Sequence, residues 1–203
     1  MDGFLSVANN SVSETVIERS RFITHVFYAE TEAVAREYLN KLRKEYSDAT
    51  HNCYAYVTDF GLSTKSSDDG EPSGTAGAPI FEVIKNKKLV NVLVVVTRYF
   101  GGIKLGTGGL VRAYSSSAKE GVLKSGVREF FVCDVFDVKL KYDEFNLFKK
   151  EVLPLCFKVI ETDYSEGVTV TVAVKKSGYK PFIDKFKACF YDKTLDKTGE
   201  DYY

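Results

Sequence analysis

The sequence predicts two α+β domains in succession. Three observations predict this class: strand-like and helix-like patterns alternate along the chain, 44% of the 203 residues are hydrophobic, and the pattern changes near residue 128. A chain of this length builds one large domain or two small ones. We therefore place the first domain at residues 1–130 and a smaller second domain at residues 131–203.

The first domain is predicted to begin with extended chain followed by a capped helix. Residues 12–28 carry the β-branched and aromatic side chains that are typical of strands. Thr31 is placed to cap a helix, because its hydroxyl can accept a hydrogen bond from the first turn, and the apolar positions from Ala35 to Leu42 follow helical spacing. A short strand is predicted at residues 53–58.

A long polar loop and a glycine-rich segment fill the rest of the first domain. Residues 59–79 predict a loop because Gly, Ser, Asp and Pro dominate them. Residues 80–84 and 90–97 are predicted to be two strands of a hairpin. Residues 110–124 predict a helix, with Gly126 just after its C-terminal end.

The second domain is predicted to have the order βαββα. A strand at residues 130–140 precedes a helix that begins at residue 142 and is ended by Pro154. Residues 157–162 and 168–174 form the strands of a hairpin around a Ser-Glu-Gly turn, and a last helix begins near Pro181. This order suits a small α+β sandwich.

The composition excludes several classes of protein. The 28 basic and 28 acidic residues balance, which argues against a uniform basic coat for nucleic acid but allows a local basic patch. The four cysteines are widely spaced, so a zinc ribbon is disfavoured. The N-terminal residues lack the pattern of a signal peptide, and the apolar run at residues 92–96 is too short to span a bilayer. We expect a cytoplasmic protein with free thiols and no membrane partner.

The glycine-rich segment Arg98–Tyr114 is the first candidate site. Five of the nine residues from Gly101 to Gly109 are glycine, and Arg98, Lys104 and Arg112 bracket them. A strand, a glycine-rich turn, a helix start and basic side chains are the parts of an anion site. The spacing fits neither a P-loop nor a dinucleotide fingerprint, so neither ATP nor NAD is supported. The alternative is a tight crossover that packs the helix against a sheet.

The loop at residues 66–77 is the second candidate. Asp68, Asp69 and Glu71 could hold a hard cation, but the EF-hand spacing is absent and such acids are typical of a solvated surface, so no metal is predicted. The structural alternative is a turn at Asp69–Gly70. The hydroxyls and backbone amides that follow could bind an anion.

His51 and Cys53 are the third candidate, as a Cys–His nucleophile. Alternate residues of a strand share a face, but this does not guarantee a geometry for proton transfer. We favour a structural or binding role for His51. No catalytic signature occurs, and no catalytic residue or cofactor is predicted.

Four motifs together resemble the YigZ/IMPACT family. They are SRFI (Ser20–Ile23), HNCYAY (His51–Tyr56), SDDGEPSGTAGAPI (Ser67–Ile80) and RYFGGIKLGTGGLVRAY (Arg98–Tyr114). The resemblance implies a ribosomal-protein-like first domain with a left-handed βαβ crossover. It implies a ferredoxin-like second domain similar to the last domain of elongation factor G. Eukaryotic IMPACT relatives act in translational control, so the resemblance implies a role linked to translation.

Two functions are therefore expected, and the first is favoured. In the first, a non-enzymatic regulator binds RNA, the ribosome or a translation-related protein through a glycine-rich basic groove, without sequence-specific DNA binding. In the second, an enzyme or small-ligand protein forms a phosphate site from loops 66–77 and 101–109. A third possibility is that the motifs only pack against each other. The predicted binding residues are His51, Asp69, Glu71, Ser73, Thr75, Arg98, Gly101, Gly102, Lys104, Gly106, Gly108, Gly109 and Arg112.

Overall fold

The computed structural model describes residues 3–203. Met1 and Asp2 lie outside the described residues. Both belong to the predicted first domain and to the N-terminal residues that lack the pattern of a signal peptide. The chain divides into two compact units, one at Phe4–Glu129 and one at Phe130–Tyr203 together with Gly3. Both units combine helices with a sheet, so the predicted two-domain α+β class is confirmed.

The first unit has a mixed order of strands and helices. Its elements are β1 (Gly3–Val7, of which Gly3 falls in the second unit), β2 (Ser11–Ile17), β3 (Ser20–Tyr28), α1 (Glu32–Glu45), β4 (His51–Thr58), β5 (Ser63–Ser67), α2 (Gly77–Asn86), β6 (Val92–Tyr99) and α3 (Gly106–Ser125). Thr31 caps α1 as predicted, since its Oγ1 accepts a hydrogen bond from the backbone N–H of Val34 at 3.3 Å. Gly126 follows α3, also as predicted.

The first unit is built on an antiparallel sheet with the strand order β2-β3-β6-β4-β5. The central strand β6 is buried on both faces. Val92, Val94 and Val96 pack in the core that contains α2 and α3, whereas Leu93 and Val95 pack in the core that contains α1. A strand covered on both faces needs apolar residues at every position, which explains the continuous run at residues 92–96.

The prediction of a strand at residues 80–84 was wrong, and so was the hairpin built on it. These residues lie in α2, where Ile80, Val83 and Ile84 are buried at helical spacing. Pro79 is tolerated because it falls in the first turn, where the backbone N–H has no intrahelical partner. The long loop is correspondingly shorter, since β5 occupies its first part. A short apolar run does not by itself distinguish a strand from a buried helix.

The second unit has the order βαββαβ. Its elements are β7 (Val127–Leu140), α4 (Tyr142–Glu151), β8 (Lys158–Asp163), β9 (Val168–Lys175), α5 (Tyr179–Cys189) and β10 (Asp196–Tyr202). In the sheet, β7 pairs with β10 and β9, and β9 pairs with β8, always antiparallel. This is a ferredoxin-like arrangement. The sequence prediction missed β10. The handedness of the crossovers in the first unit stays a prediction.

Asp134 holds the end of the second unit together. Its side chain is 6% exposed on β7, and its Oδ1 lies 2.9 Å from the Nζ of Lys176 and 2.6 Å from the Nζ of Lys197 on β10. Burial raises the pKa of Asp134, but the adjacent ammonium groups of Lys197 and Lys176 outweigh it and leave the pKa below its ordinary value. No helix within residues 3–203 combines the length and apolar character needed to cross a bilayer.

Replacing Asp134 with asparagine is expected to destabilise the protein by about 1–3 kcal/mol at pH 7, because two lysines lose their shared carboxylate. The pKa of Asp134 is lower in the folded than in the unfolded protein, where it is near 4. The ionised carboxylate therefore stabilises the fold above about pH 4, and this stabilisation is lost as the pH falls through the pKa of the folded state. The deficit of the variant should therefore shrink as the pH falls below about 4. Urea unfolding followed by circular dichroism measures it.

Asp184→Asn is the matched control, because Asp184 is 62% exposed in its pair with Lys180. Its effect should stay within about 0.5 kcal/mol. An Asp134→Asn deficit that does not change with pH would contradict the role assigned to the carboxylate.

Candidate functional site

A buried ion pair joins the central strand to the polar loop. Arg98 lies on β6, and Glu71 lies in the loop between β5 and α2. Arg98 Nη1 donates a hydrogen bond to Glu71 Oε1 at 2.6 Å. The side chain of Arg98 is 5% exposed and that of Glu71 is 3% exposed. Arg98 Nη2 also donates to Ser20 Oγ on β3 at 3.2 Å. The guanidinium is therefore neutralised inside the protein, which corrects the expectation that Arg98 contributes free positive charge to a surface.

Tyr114 and Cys53 continue this network into the core. The Tyr114 hydroxyl donates to Glu71 Oε1 at 2.7 Å, and Cys53 Sγ lies 3.4 Å from the Tyr114 oxygen and 2.9 Å from the carbonyl oxygen of Asp68. Burial raises the pKa of Cys53 to about 12 and raises the pKa of Tyr114 above its ordinary value. Both groups therefore keep their protons at neutral pH, and a Cys53–His51 nucleophile is not supported.

Asp68 organises the loop and the start of α2. Its carboxylate accepts hydrogen bonds from the backbone N–H groups of Gly74 at 2.8 Å, Ala76 at 3.0 Å and Gly77 at 2.8 Å. Burial raises the pKa of Asp68, but these three bonds outweigh it and leave the pKa below its ordinary value. An acid eight or nine residues earlier in the chain thus satisfies N–H groups at the helix start that would otherwise lack partners.

Asp69 also serves the fold. Its Oδ2 accepts from the backbone N–H of Asn52 at 2.7 Å and its Oδ1 from Arg43 at 3.0 Å. The predicted turn at Asp69–Gly70 is confirmed, since both residues have positive φ and the N–H of Glu71 donates to the Asp68 carbonyl. All three acids of the loop therefore have protein donors, and within residues 3–203 no group of three potential metal ligands forms.

His51 stands at the end of β4 beside this turn. Its Nδ1 lies 2.8 Å from the carbonyl oxygen of Asp69. Because a carbonyl only accepts, Nδ1 must carry a proton, and in the neutral ring Nε2 is then an acceptor. Nε2 lies 3.8 Å from Glu71 Oε2, the carboxylate oxygen that Arg98 does not bind.

The glycines of the segment Arg98–Tyr114 have different roles. Gly101 crosses the backbone of β3, because a Cβ there would lie 2.0 Å from the carbonyl oxygen of Arg19. Gly106 has φ +68° and begins α3, four residues before the predicted start. No side chain caps α3, so N–H groups of its first turn are left for solvent or a ligand. The segment therefore contains both the close crossover and the uncapped helix start that the sequence left as alternatives.

Two neighbouring cavities open in the first unit. We call the first, of about 390 Å³, the His51 cavity; it is lined by Thr50, His51, Glu71, Pro72, Arg98, Phe100, Lys104, Leu105, Gly106, Thr107 and Leu110. We call the second, of about 510 Å³, the Arg112 cavity; it is lined by Ile17, Glu18, Ile103, Lys104, Leu105, Gly109, Arg112, Ala113 and Ser116. Lys104 and Leu105 line both.

The predicted site residues separate into two groups. Those that line a cavity are His51, Glu71, Arg98, Lys104, Gly106, Gly109 and Arg112. Those that line neither are Asp69, Ser73, Thr75, Gly101, Gly102 and Gly108. Thr75 is buried, and its hydroxyl donates to the Pro72 carbonyl at 2.7 Å.

Sequence reasoning missed several residues of the site. Phe100, Thr50 and Leu105 line the His51 cavity, and Tyr114 binds Glu71 beneath it. Tyr114 could have been found from its helical spacing to Leu110, which places the two on one buried face of α3. Phe100 lies within the glycine-rich segment Arg98–Tyr114, but nothing in the spacing marked its side chain as part of a cavity.

The fold and site define a class: a two-domain α+β protein with a buried ion pair beneath an open cavity in its first domain. The Impact N-terminal domain model matches residues 18–122. The chain is 39% identical over 201 residues to "IMPACT family member YvyE" of Bacillus subtilis, covering 98% of this chain and 93% of that one. It is 31% identical over 172 residues to "IMPACT family member YigZ" of Escherichia coli, covering 83% and 84%.

A solved structure described as a hypothetical protein is similar along the whole chain. It has a TM-score of 0.66 at 30% identity and covers 97% of this chain and 96% of its own. The chain belongs to the IMPACT family, as its motifs predicted.

Changing Glu71 to glutamine is expected to destabilise the protein by about 3–5 kcal/mol, because it leaves the buried Arg98 charge unpaired. Adding Arg98→Met should recover part of the loss, since the unpaired charge is then removed. Glu82→Gln on α2, whose side chain is 55% exposed, is the control. A loss below about 1 kcal/mol in urea unfolding would refute a stabilising ion pair.

Iodoacetamide at pH 8 is expected to alkylate Cys53 on the order of a thousandfold more slowly than a free thiol, because its pKa is raised to about 12. Urea at about 8 M unfolds most domains, so all four cysteines should react alike at that concentration. Peptide mass spectrometry resolves each site. Rapid labelling of Cys53 in the native protein would reveal an accessible thiolate and restore the nucleophile hypothesis.

Proposed function

We propose that this protein is a non-enzymatic, cytoplasmic regulator linked to translation, and that its first domain binds RNA, free or within the ribosome. Membership of the IMPACT family supports the link to translation, because the resemblance to that family implies translational control for its eukaryotic members. The proposed contact surface is the groove formed by the His51 and Arg112 cavities on either side of Lys104.

The observation that carries this proposal is the unpaired positive charge at the groove. Lys104 and Arg112 are exposed, and within residues 3–203 neither forms an ion pair. The uncapped start of α3 adds the partial positive charge of a helix N-terminus between them. Glu18 also lines the Arg112 cavity, and Arg98 and Glu71 neutralise each other, so the charged lining keeps an excess of one positive charge. On a chain of zero net charge, this local excess favours phosphate groups at the groove and not over the whole surface.

The chemistry of the network favours binding over catalysis. Cys53 and Tyr114 hold their protons, and one oxygen of Glu71 is occupied by Arg98 and Tyr114. These groups stabilise the wall of the cavity. A small phosphorylated ligand is the second candidate, because a cavity of about 390 Å³ is of the size that holds small molecules.

The double variant Lys104→Ala/Arg112→Ala is expected to weaken binding to RNA and to Bacillus subtilis ribosomes, because two phosphate contacts are lost. The slope of log K against log salt for single-stranded RNA should become shallower by about 0.7 for each lost contact. Filter binding at several salt concentrations and ribosome co-sedimentation measure the two effects.

Lys119→Ala/Lys124→Ala is the matched control, because it removes the same charge from exposed positions of α3 that line neither cavity. The control should bind like the unmodified protein. Equal weakening in both variants would mean nonspecific attraction, and no binding of the unmodified protein to RNA or ribosomes would leave a protein partner as the occupant.

A further inference from the structure

The His51 cavity contains polar and aromatic groups that a phosphate contact alone does not use. Its lining includes the start of α3 and Lys104, the ring of Phe100, and the acceptors of His51 and Glu71. These three kinds of group are the parts of a site for a nucleotide: a cation for phosphate, an aromatic ring for the base and polar atoms for the base edge.

The phosphate end is defined by more than the helix start. Arg98 lines the same cavity, its side chain is 5% exposed, and its Nε is buried with no hydrogen-bond partner within residues 3–203. This N–H has almost no accessible surface, so Arg98 forms part of the cavity wall, and contacts with a phosphate are left to Lys104 and the start of α3. Lys104 and the N–H groups at Gly106 and Thr107 line the same cavity.

The base is assigned to Phe100, which is the exposed aromatic ring of the lining. The residue is 46% exposed, and its backbone N–H donates to Thr50 Oγ1 at 3.0 Å, which fixes the start of the turn. The Arg98 guanidinium lies 5.5 Å from the ring centroid. An exposed ring already in contact with a cation is a platform on which a base can stack.

Two acceptors meet at the wall of the cavity. His51 Nε2 is an acceptor in the neutral ring, and Glu71 Oε2 lies 3.8 Å from it. No hydrogen bond within residues 3–203 satisfies either atom. Two adjacent acceptors call for a ligand edge with two adjacent donors. Guanine presents such an edge in its N1–H and 2-amino groups, whereas uracil presents one N–H between two carbonyl oxygens that would face the carboxylate.

We propose that the His51 cavity binds a single guanosine 5′-phosphate unit. Its base stacks on Phe100, its N1–H and 2-amino groups donate to Glu71 and His51, and its phosphate lies at the start of α3 beside Lys104. The inference deepens the proposed function and rests on it for the source of the ligand, which is an unpaired guanosine of the bound RNA.

Isothermal titration of the full chain with four probes tests the assignment. GMP should bind about tenfold more tightly than IMP, which lacks only the 2-amino donor, and at least about tenfold more tightly than UMP. Ribose 5-phosphate should bind more weakly than any of them. Equal affinity for GMP and UMP, or for GMP and ribose 5-phosphate, would overturn the assignment, as would no binding of GMP at millimolar concentration.

Two variants separate the base from the phosphate. Phe100→Leu should weaken GMP about tenfold and leave ribose 5-phosphate unchanged, whereas Lys104→Gln should weaken both. Tyr191→Leu, at a ring 91% exposed in the second unit, and Lys119→Gln are the controls. Circular dichroism checks that Phe100→Leu folds. If it does not fold, GMP-induced amide shift changes at Gly106 and Thr107 in the unmodified protein replace it, and their absence refutes the phosphate position.

The outcomes also separate this inference from the proposed function. RNA or ribosome binding without a preference for GMP would overturn the guanosine site and leave the function standing. Preferential GMP binding without RNA or ribosome binding would support the site and overturn the link to RNA.

Discussion

The buried ion pair between Arg98 and Glu71 is the interaction on which the site depends. Arg98 comes from the central strand β6, and Glu71 comes from a loop far from it in sequence. Ser20 on β3 and Tyr114 on α3 bind the same two side chains. Four elements therefore meet at one pair of charges. Moving two charges out of water is costly, and only close geometry with further hydrogen bonds compensates for it, which explains why so many polar groups converge here.

The polar loop is ordered because each of its acids has a different task. Asp68 caps α2, Asp69 holds β4 and α1, and Glu71 holds β6 and α3. A run of acids in a turn is typical of a solvated surface. Here, the carboxylates of Asp68 and Asp69 instead accept hydrogen bonds from backbone N–H groups, which carbonyl groups would bind within a helix or strand. The loop consequently forms one wall of the His51 cavity, with Glu71 and Pro72 facing it.

Local patterns predicted most of the fold, and failed where distant contacts decide the structure. Alternation and capping revealed α1, the strand β4, and the order of the second unit up to α5, because these signals lie within a few residues of each other. The helix α2 was missed because its cap, Asp68, lies in another part of the loop. The strand β10 was missed because its residues are mostly exposed and polar and it forms only by pairing with β7. Likewise, the sequence predicted that Arg98 belongs to the site but not that it is buried. Its partner Glu71 lies in a polar loop, and an acid in such a loop is equally compatible with exposure to solvent.

The position of Lys104 follows from backbone packing and not from charge pairing. Gly101 must pass directly over Arg19, and Gly106 must take a positive φ to begin α3, so the residues between them have little freedom of path. The lysine in this short connection is brought to the uncapped start of the helix, where like positive charges meet. Lys104 is exposed and forms no ion pair within residues 3–203, although Glu18 lines one of the same cavities. The place of this lysine beside the helix start is therefore set by the backbone packing of the two glycines.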